Sequence, residues 1–186
     1  MTSFDDQESR VTMLSRTYKC GMLAALILIL SSAGSIAYAA GLTAKASLTQ
    51  VAAAGKKWKG DAVLVSLSSV KVHLDGTAAE WKYSFYSPGS RKRCVVTANT
   101  SGIRTKDVNL GYSTEPLGDF IDSDKAMQEA KKNGLKGNDL NMAVKFQGTG
   151  RSAAAYWIVN GGFAKGDVSI FLEAKTGKFS SRAVME

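Results

Sequence analysis

The chain has 186 residues and a net charge of +8, with 24 Lys and Arg residues against 16 Asp and Glu residues. Its hydrophobic fraction of 45% suits one globular domain or two small ones. A single histidine, His73, and two cysteines argue against a zinc site and against Ser-His or Cys-His catalysis, because those sites need imidazole at close range.

An uncharged amino-terminal stretch, residues 20–44, is the first predicted element and indicates export. Its first half is rich in Leu, Ile and Ala, which is typical of the apolar core of a signal peptide. The tripeptide from Ala37 to Ala39 places small residues at the two positions that signal peptidase reads, so we predict cleavage before Ala40. Residues 1–39 are then the signal peptide, and translation from Met13 gives that peptide ordinary proportions.

The same stretch supports an alternative, an uncleaved membrane anchor, because residues 20–44 are long enough to cross a bilayer. In both cases the positive-inside rule keeps Arg16 and Lys19 in the cytoplasm. The chain after residue 40 is therefore predicted to be periplasmic or secreted. In the alternative it lies outside the inner membrane, attached by a single amino-terminal span.

Residues 40–112 are predicted to form a first unit of one helix and several short strands. Ser47 can cap a helix that extends to about Lys57, with small and apolar residues repeating on one face. Alternating apolar residues and turn signals predict the strands that follow. These strands cover Ala62–Leu74, Glu80–Tyr86, Arg91–Ala98 and Ile103–Leu110.

Residues 113–186 are predicted to form a second unit of the same kind. Asp122 or Ser123 can cap a helix that ends at Asn133, and basic residues occupy its last turn, as the helix dipole favours. The predicted strands are Leu140–Phe146, Ala154–Val159, Asp167–Ala174 and Phe179–Val184.

The two halves repeat the order of helix, strand, hairpin, turn and strand. An offset of 76 residues places Trp81 on Trp157, and Ile103 then falls on Phe179. A repeat of this length predicts two structural units. Because the connections between strands are too short for parallel crossovers, the class is α+β with antiparallel sheets.

The second half also resembles a known family. The helix from Asp122 to Asn133, the strand that ends at Val159, and the run VSIFLEAKTGK from Val168 are similar to a PepSY or PepSY-like domain over residues 122–184. Glu173 occupies the position that usually holds Asp, and the earlier half shows the pattern more weakly. The resemblance implies two tandem PepSY-like units, each one short helix packed on a small antiparallel sheet, and the amino-terminal hydrophobic export helix precedes them.

No catalytic, cofactor-binding or metal-binding residues are predicted. Asp119, Asp122 and Asp124 form an acidic cluster that could act in acid–base chemistry, but their spacing spans a helix start and capping explains them first. His73 falls on the polar face of a strand and has no second ligand nearby.

Three further features have structural interpretations that we favour. The basic triplet Arg91-Lys92-Arg93 suits a charged hairpin end, with phosphate or lipid contact as the alternative. The aromatic stripe of β-strand Glu80–Tyr86 predicts core packing more than a base-stacking platform. Cys94 is predicted to be a small apolar strand residue, with an intermolecular disulfide or a reactive thiol as the alternative.

The sequence as a whole predicts an exported, non-catalytic binding or regulatory module that acts on a protein or peptide partner in the cell envelope. The PepSY resemblance adds a peptidase to the candidate partners. A membrane-anchored accessory protein of an envelope complex is the alternative. We expect no nucleic-acid partner and no cofactor, because the basic residues are spread along the chain and the chain is exported.

Overall fold

The computed structural model describes residues 41–108, 115–147 and 153–186. The predicted signal peptide, residues 1–39, and the cleavage residues Ala37, Ala39 and Ala40 lie outside these ranges. Among the residues that the structure does describe, no helix is long and apolar enough to cross a membrane.

The described residues form two helices and one antiparallel sheet of eight strands. The helices are α1 (Leu48–Trp58) and α2 (Ser123–Lys132). The strands are β1 (Val63–Val70), β2 (Glu80–Ser87), β3 (Lys92–Asn99), β4 (Gly102–Val108), β5 (Asn141–Gln147), β6 (Ala154–Asn160), β7 (Val168–Glu173) and β8 (Phe179–Val184). Their order across the sheet is β4-β3-β2-β1-β5-β6-β7-β8.

This arrangement corrects the predicted fold class of two tandem PepSY-like units, each with its own small sheet. β1 pairs with β5 over five residue pairs, from Ser66 with Lys145 to Val70 with Asn141, so the strands of both halves belong to one continuous sheet. Separate four-stranded sheets would leave unpaired backbone groups along β1 and β5, and the pairing satisfies them. The structure is thus mostly sheet, with two helices added to it.

Both helices pack on the same side of the sheet and share one hydrophobic core. Trp81 and Trp157 meet edge to face near the middle of this core, with ring centroids 6.2 Å apart. Trp81, Tyr83 and Phe85 are all buried, so the prediction that the aromatic stripe forms core is confirmed. Each of these rings buries a large apolar area and therefore contributes strongly to stability.

The sequence signals at α2 are confirmed by its contacts. Asp122 precedes the first turn, and its carboxylate accepts hydrogen bonds from the backbone N–H groups of Ser123 (2.7 Å) and Lys45 (2.9 Å). Ser47 occupies the cap position of α1, but its side chain makes no capping hydrogen bond, which differs from the prediction. The stability of α1 therefore comes from packing, as expected for a short helix.

Candidate binding surface on the open sheet face

The sheet has one side that the helices do not cover, which we call the open face. Side chains alternate along a strand, so the residues next to buried Leu67, Val144 and Trp157 project to this side. On the central strands the open face carries Ser66, Ser68, Lys82, Ser84, Ala143, Lys145, Tyr156 and Ile158.

A groove of about 450 Å³ crosses the open face where β1, β5 and β6 lie side by side, and we call it the central groove. Ser68 pairs with Ala143, and Ala143 pairs with Ile158, so three neighbouring strands contribute to one row of its floor. Two of these side chains are small, and the surface is consequently lower there than around it.

Two large apolar side chains stand at the rim of the central groove. Val70 is 65% exposed and Phe163 is 70% exposed, and both line the groove. Exposed apolar groups gathered at one concave place often mark an interaction site, whereas isolated ones do not. Val70 and Phe163, which line one concave place, therefore mark the groove as a candidate interaction site.

The loop that presents Phe163 is held by hydrogen bonds on both sides of it. The N–H of Gly162 donates to Oδ1 of Asn160 (2.8 Å), and the N–H of Ala164 donates to Oδ2 of Asp167 (2.8 Å). These bonds fix the backbone on either side of the exposed ring. A ligand that packs on Phe163 thus meets a preorganised surface, which lowers the entropic cost of binding.

Lys71 lines the central groove from a strained backbone conformation. Its φ is 54°, in the left-handed region of backbone conformation. For a residue other than glycine this conformation costs about 1–2 kcal/mol of conformational free energy. The chain turns there, and the N–H of Val72 then donates to the carbonyl of Leu140 at 2.8 Å. Strain of this kind concentrates at functional sites, although turns also contain it.

Two asparagines add polar groups to the groove from paired positions on β5 and β6. Nδ2 of Asn141 donates to the carbonyl of Asp139 (3.0 Å), while Oδ1 of Asn160 accepts from Gly162. Oδ1 of Asn141 and Nδ2 of Asn160 have no hydrogen-bond partner within residues 41–108, 115–147 and 153–186. The groove therefore offers one acceptor and one donor to a ligand.

The open face and its groove carry more basic than acidic side chains. The basic ones are Lys71, Lys82, Arg93, Arg104, Lys106 and Lys145, and the acidic ones are Glu80, Asp139 and Glu173. The ion pair between Lys82 and Glu80, at 3.5 Å, is exposed and contributes little to stability. With this pair and Arg93 set aside, four basic side chains stand against two acidic ones, which favours an anionic partner over a cationic one.

The acidic cluster predicted as a catalytic alternative has structural contacts. Oδ1 of Asp119 accepts hydrogen bonds from Nζ of Lys45 (3.1 Å) and from the N–H of Phe120 (2.9 Å), and the bond from Lys45 is the main reason why the pKa of Asp119 is lowered. Asp122 caps α2, and Asp124 lies in its first turn. Asp122 and Asp124 therefore belong to the start of α2, whereas Asp119 holds Lys45.

His73 lies outside the strand in which it was predicted. β1 ends at Val70, and the backbone of His73 instead closes a turn with Thr77, where its side chain is exposed. The left-handed conformation of Lys71 ends the strand early. The period-two pattern continued beyond β1 and gave the wrong strand end.

The basic triplet lies at the end of the hairpin formed by β2 and β3, which confirms the predicted charged hairpin end. Arg91 lies in the turn with φ 53°, and β3 then begins at Lys92. Lys92 pairs with buried Ser87, whereas Arg93 pairs with Tyr86, so successive side chains project to opposite sides of the sheet. The three charges therefore do not form one patch.

Cys94 is fully buried, in agreement with the predicted apolar strand position. Burial, and to a lesser extent the carboxylate of Asp107, raises the pKa of its thiol to about 11. A buried thiol with a raised pKa is a poor nucleophile.

No protein-family model matches the chain, and no curated protein matches it. The chain is similar to the crystal structure of a "putative lipoprotein" from Clostridium difficile 630, with 15% identity and a TM-score of 0.50. The similarity covers 73% of this chain and 91% of that one. At this level of identity the similarity concerns the fold alone, and the PepSY resemblance stays a prediction.

Proposed function

We propose that the protein is an exported, non-catalytic binding module whose open face takes a protein or peptide partner in the cell envelope. The observation that carries this proposal is the central groove, with exposed Val70 and Phe163 at its rim. A monomeric protein gains nothing for its own fold by holding a large aromatic ring in solvent on a fixed loop. A partner that packs on the ring gives that arrangement a use.

Three separate observations support the cellular setting of the proposal. The uncharged stretch at residues 20–44 predicts export, and a protein with a similar fold is described as a lipoprotein. The PepSY resemblance over residues 122–184 implies a module that binds and does not catalyse. Together these observations favour a partner in the envelope, with a peptidase as one candidate.

A membrane-anchored accessory protein is the second candidate function, because residues 20–44 are long enough to remain as a span. The intact mass of the protein recovered from envelope fractions separates the two. A chain that begins at Ala40 supports the exported module, and a chain that keeps the apolar stretch supports the anchor.

Position-specific photocrosslinking in intact cells tests the proposed binding face. A photoreactive residue placed at Ala143, in the floor of the groove, is expected to give one defined adduct. The matched control is the same residue at Lys57, which is exposed on α1 on the other side of the sheet.

Competition makes this test specific for the groove. Co-expressed wild-type protein that lacks the photoreactive residue should suppress the adduct from position 143, while a co-expressed Phe163→Ser protein should suppress it less. Equal adducts from positions 143 and 57, or no adduct from position 143, would count against a binding role for the open face.

A further inference from the structure

We propose that the central groove binds an extended peptide segment of the partner, in which an apolar side chain is flanked by Asp or Glu. This inference rests on the proposed function and adds the chemical class of the partner. The groove has a volume of about 450 Å³. Ligand-binding pockets in proteins usually have volumes of about 300–1,000 Å³, so the groove is large enough for a short peptide segment.

The polar groups of the groove fit a peptide backbone. A peptide unit presents one N–H donor and one C=O acceptor. Oδ1 of Asn141 and Nδ2 of Asn160 are the complementary acceptor and donor, and the two residues are directly paired on neighbouring strands. An extended chain placed along the groove can therefore satisfy both amides.

The apolar part of the groove fits one side chain of such a segment. Ile158 forms part of the floor, and Val70 and Phe163 stand at the rim. A fixed, exposed aromatic ring at the rim offers a large apolar area for such a side chain to cover. Leu, Ile, Met or Phe in the peptide would bury area against all three.

The charges of the groove favour acidic residues beside that anchor. Lys71 and Lys145 both line the groove, and Asp139 is the acidic residue that accompanies them. The wider open face is also basic, which steers an acidic segment toward the groove. Lys71 contributes this charge from a left-handed backbone where glycine would be less strained.

The same residues disfavour a phosphate or a lipid headgroup as the ligand. The carboxylate of Asp139 can accept a hydrogen bond from a peptide N–H, whereas a phosphate group has no N–H to donate. The paired amides of Asn141 and Asn160 match a unit that both donates and accepts, whereas a phosphodiester only accepts.

Fluorescence anisotropy with three labelled peptides tests the proposal on the purified full chain. The peptides share a central Leu and differ only in whether Glu, Gln or Lys flanks it. We expect the Glu peptide to bind about tenfold more tightly than the Gln peptide, and the Lys peptide to bind most weakly.

Matched variants then locate the binding. Lys71→Gly and Lys145→Gln should each lower the affinity for the Glu peptide by about threefold to tenfold. Neither variant should change the affinity for the Gln peptide. Arg91→Gly is the control for Lys71→Gly, because Arg91 has nearly the same φ, 53°, and does not line the groove. Lys57→Gln is the control for the loss of a charge.

The outcomes separate this inference from the proposed function. Equal binding of the Glu and Gln peptides, or displacement of the Glu peptide by vesicles of anionic phospholipid, would overturn the acidic-peptide inference. If the crosslink from position 143 persists in that case, the open face is still a binding surface. If the crosslink is also absent, the proposed function fails as well.

Discussion

At the scale of single residues, two buried donors on β2 hold the segment that precedes α1. Nε1 of Trp81 donates to the carbonyl of Leu42, and the hydroxyl of Tyr83 donates to the carbonyl of Ala44, both at 2.7 Å. Burial, and to a lesser extent the charge of Asp122, raises the pKa of Tyr83 well above its usual value. The hydroxyl therefore stays protonated at neutral pH and continues to donate to the carbonyl of Ala44.

Removing the hydroxyl of Tyr83 should destabilise the protein. Tyr83→Phe leaves the buried carbonyl of Ala44 without this donor, which should lower the free energy of unfolding by about 1–3 kcal/mol. Urea denaturation followed by tryptophan fluorescence measures the change. Tyr156→Phe on the open face is the control and should change the free energy of unfolding by less than about 0.5 kcal/mol. An equal effect of both variants would contradict this assignment.

Cys94 should be unreactive in the folded protein. Its pKa of about 11 leaves very little thiolate at about pH 8, and its side chain is inaccessible. In a Cys20→Ser variant, in which Cys94 is the remaining thiol, a thiol reagent should modify it only as fast as the protein unfolds. The same sample in urea should react completely. Fast modification of the folded chain would revive the reactive-thiol alternative.

The raised pKa of Cys94 also predicts that the contribution of this residue to stability falls as the pH rises. The folded value of about 11 lies above the value of about 8.5 for an unfolded cysteine. The stability that burial of the neutral thiol provides is therefore complete below about pH 8.5 and is lost as the pH rises toward the folded pKa. Comparing the urea midpoints of wild type and Cys94→Ala across that range should show a difference that shrinks at high pH.

Lys71 and Arg91 provide a further residue-scale prediction, because both have positive φ without being glycine. Replacement by Gly removes about 1–2 kcal/mol of backbone strain from the folded state, which stabilises it. Glycine also makes the unfolded chain more flexible, which costs the folded state about 0.5–1 kcal/mol. Each variant should thus gain between about 0 and about 1.5 kcal/mol of stability, measured by urea denaturation. A gain at Arg91 with a loss at Lys71 would mean that the Lys71 side chain has a structural role.

At the scale of elements, the packing of α1 against the sheet depends on Gly55, because a glycine has no side chain to clash with Phe85. A Cβ on Gly55 would lie 2.6 Å from ring carbons of Phe85, which is itself buried. Gly55→Ala would normally favour a helix by about 1 kcal/mol, but overpacking costs about 1–3 kcal/mol. We expect a net loss of stability in thermal denaturation. Gly60→Ala, which meets no atom within 4 Å, is the control and should be nearly neutral.

Local sequence signals predicted the elements well but not how the strands pair. The cap at Asp122 and the alternation in β2 involve neighbours within a few residues, and the corresponding elements form as expected. The contact between β1 and β5 joins residues such as Leu67 and Val144, which are far apart in sequence. Each strand has a period-two pattern that is compatible with several partners, so periodicity alone could not reveal the continuous sheet.

The central groove could not be predicted from the sequence either. Its floor depends on Ser68, Ala143 and Ile158, which belong to three strands and come together only through the pairing of β1 with β5 and of β5 with β6. Phe163 lies between the two predicted strands Ala154–Val159 and Asp167–Ala174, and nothing in the local sequence distinguishes a ring that stays exposed from one that packs inward. The positive φ of Lys71 has no sequence signature, because glycine is the residue expected there.

At the scale of the whole molecule, the pairing of β1 with β5 gives the protein both its stability and its candidate site. The contact between Trp81 and Trp157 places one ring from each half in a shared core on the helix side. On the other side, the same strand pairing forms the floor of the groove. We therefore expect one cooperative unfolding transition, and substitutions at this seam should affect folding and binding together.

Amide hydrogen exchange provides a direct test of the continuous sheet. β1 has a strand on each side, whereas β8 is an edge strand with exposed Phe179 and Val184. Amides of Ser66–Val70 should therefore be among the slowest to exchange and report global unfolding, while those of β8 exchange by local opening. In two separate sheets β1 would itself be an edge. Exchange in β1 as fast as in β8, measured by mass spectrometry of the same digested sample, would contradict the pairing on which the groove depends.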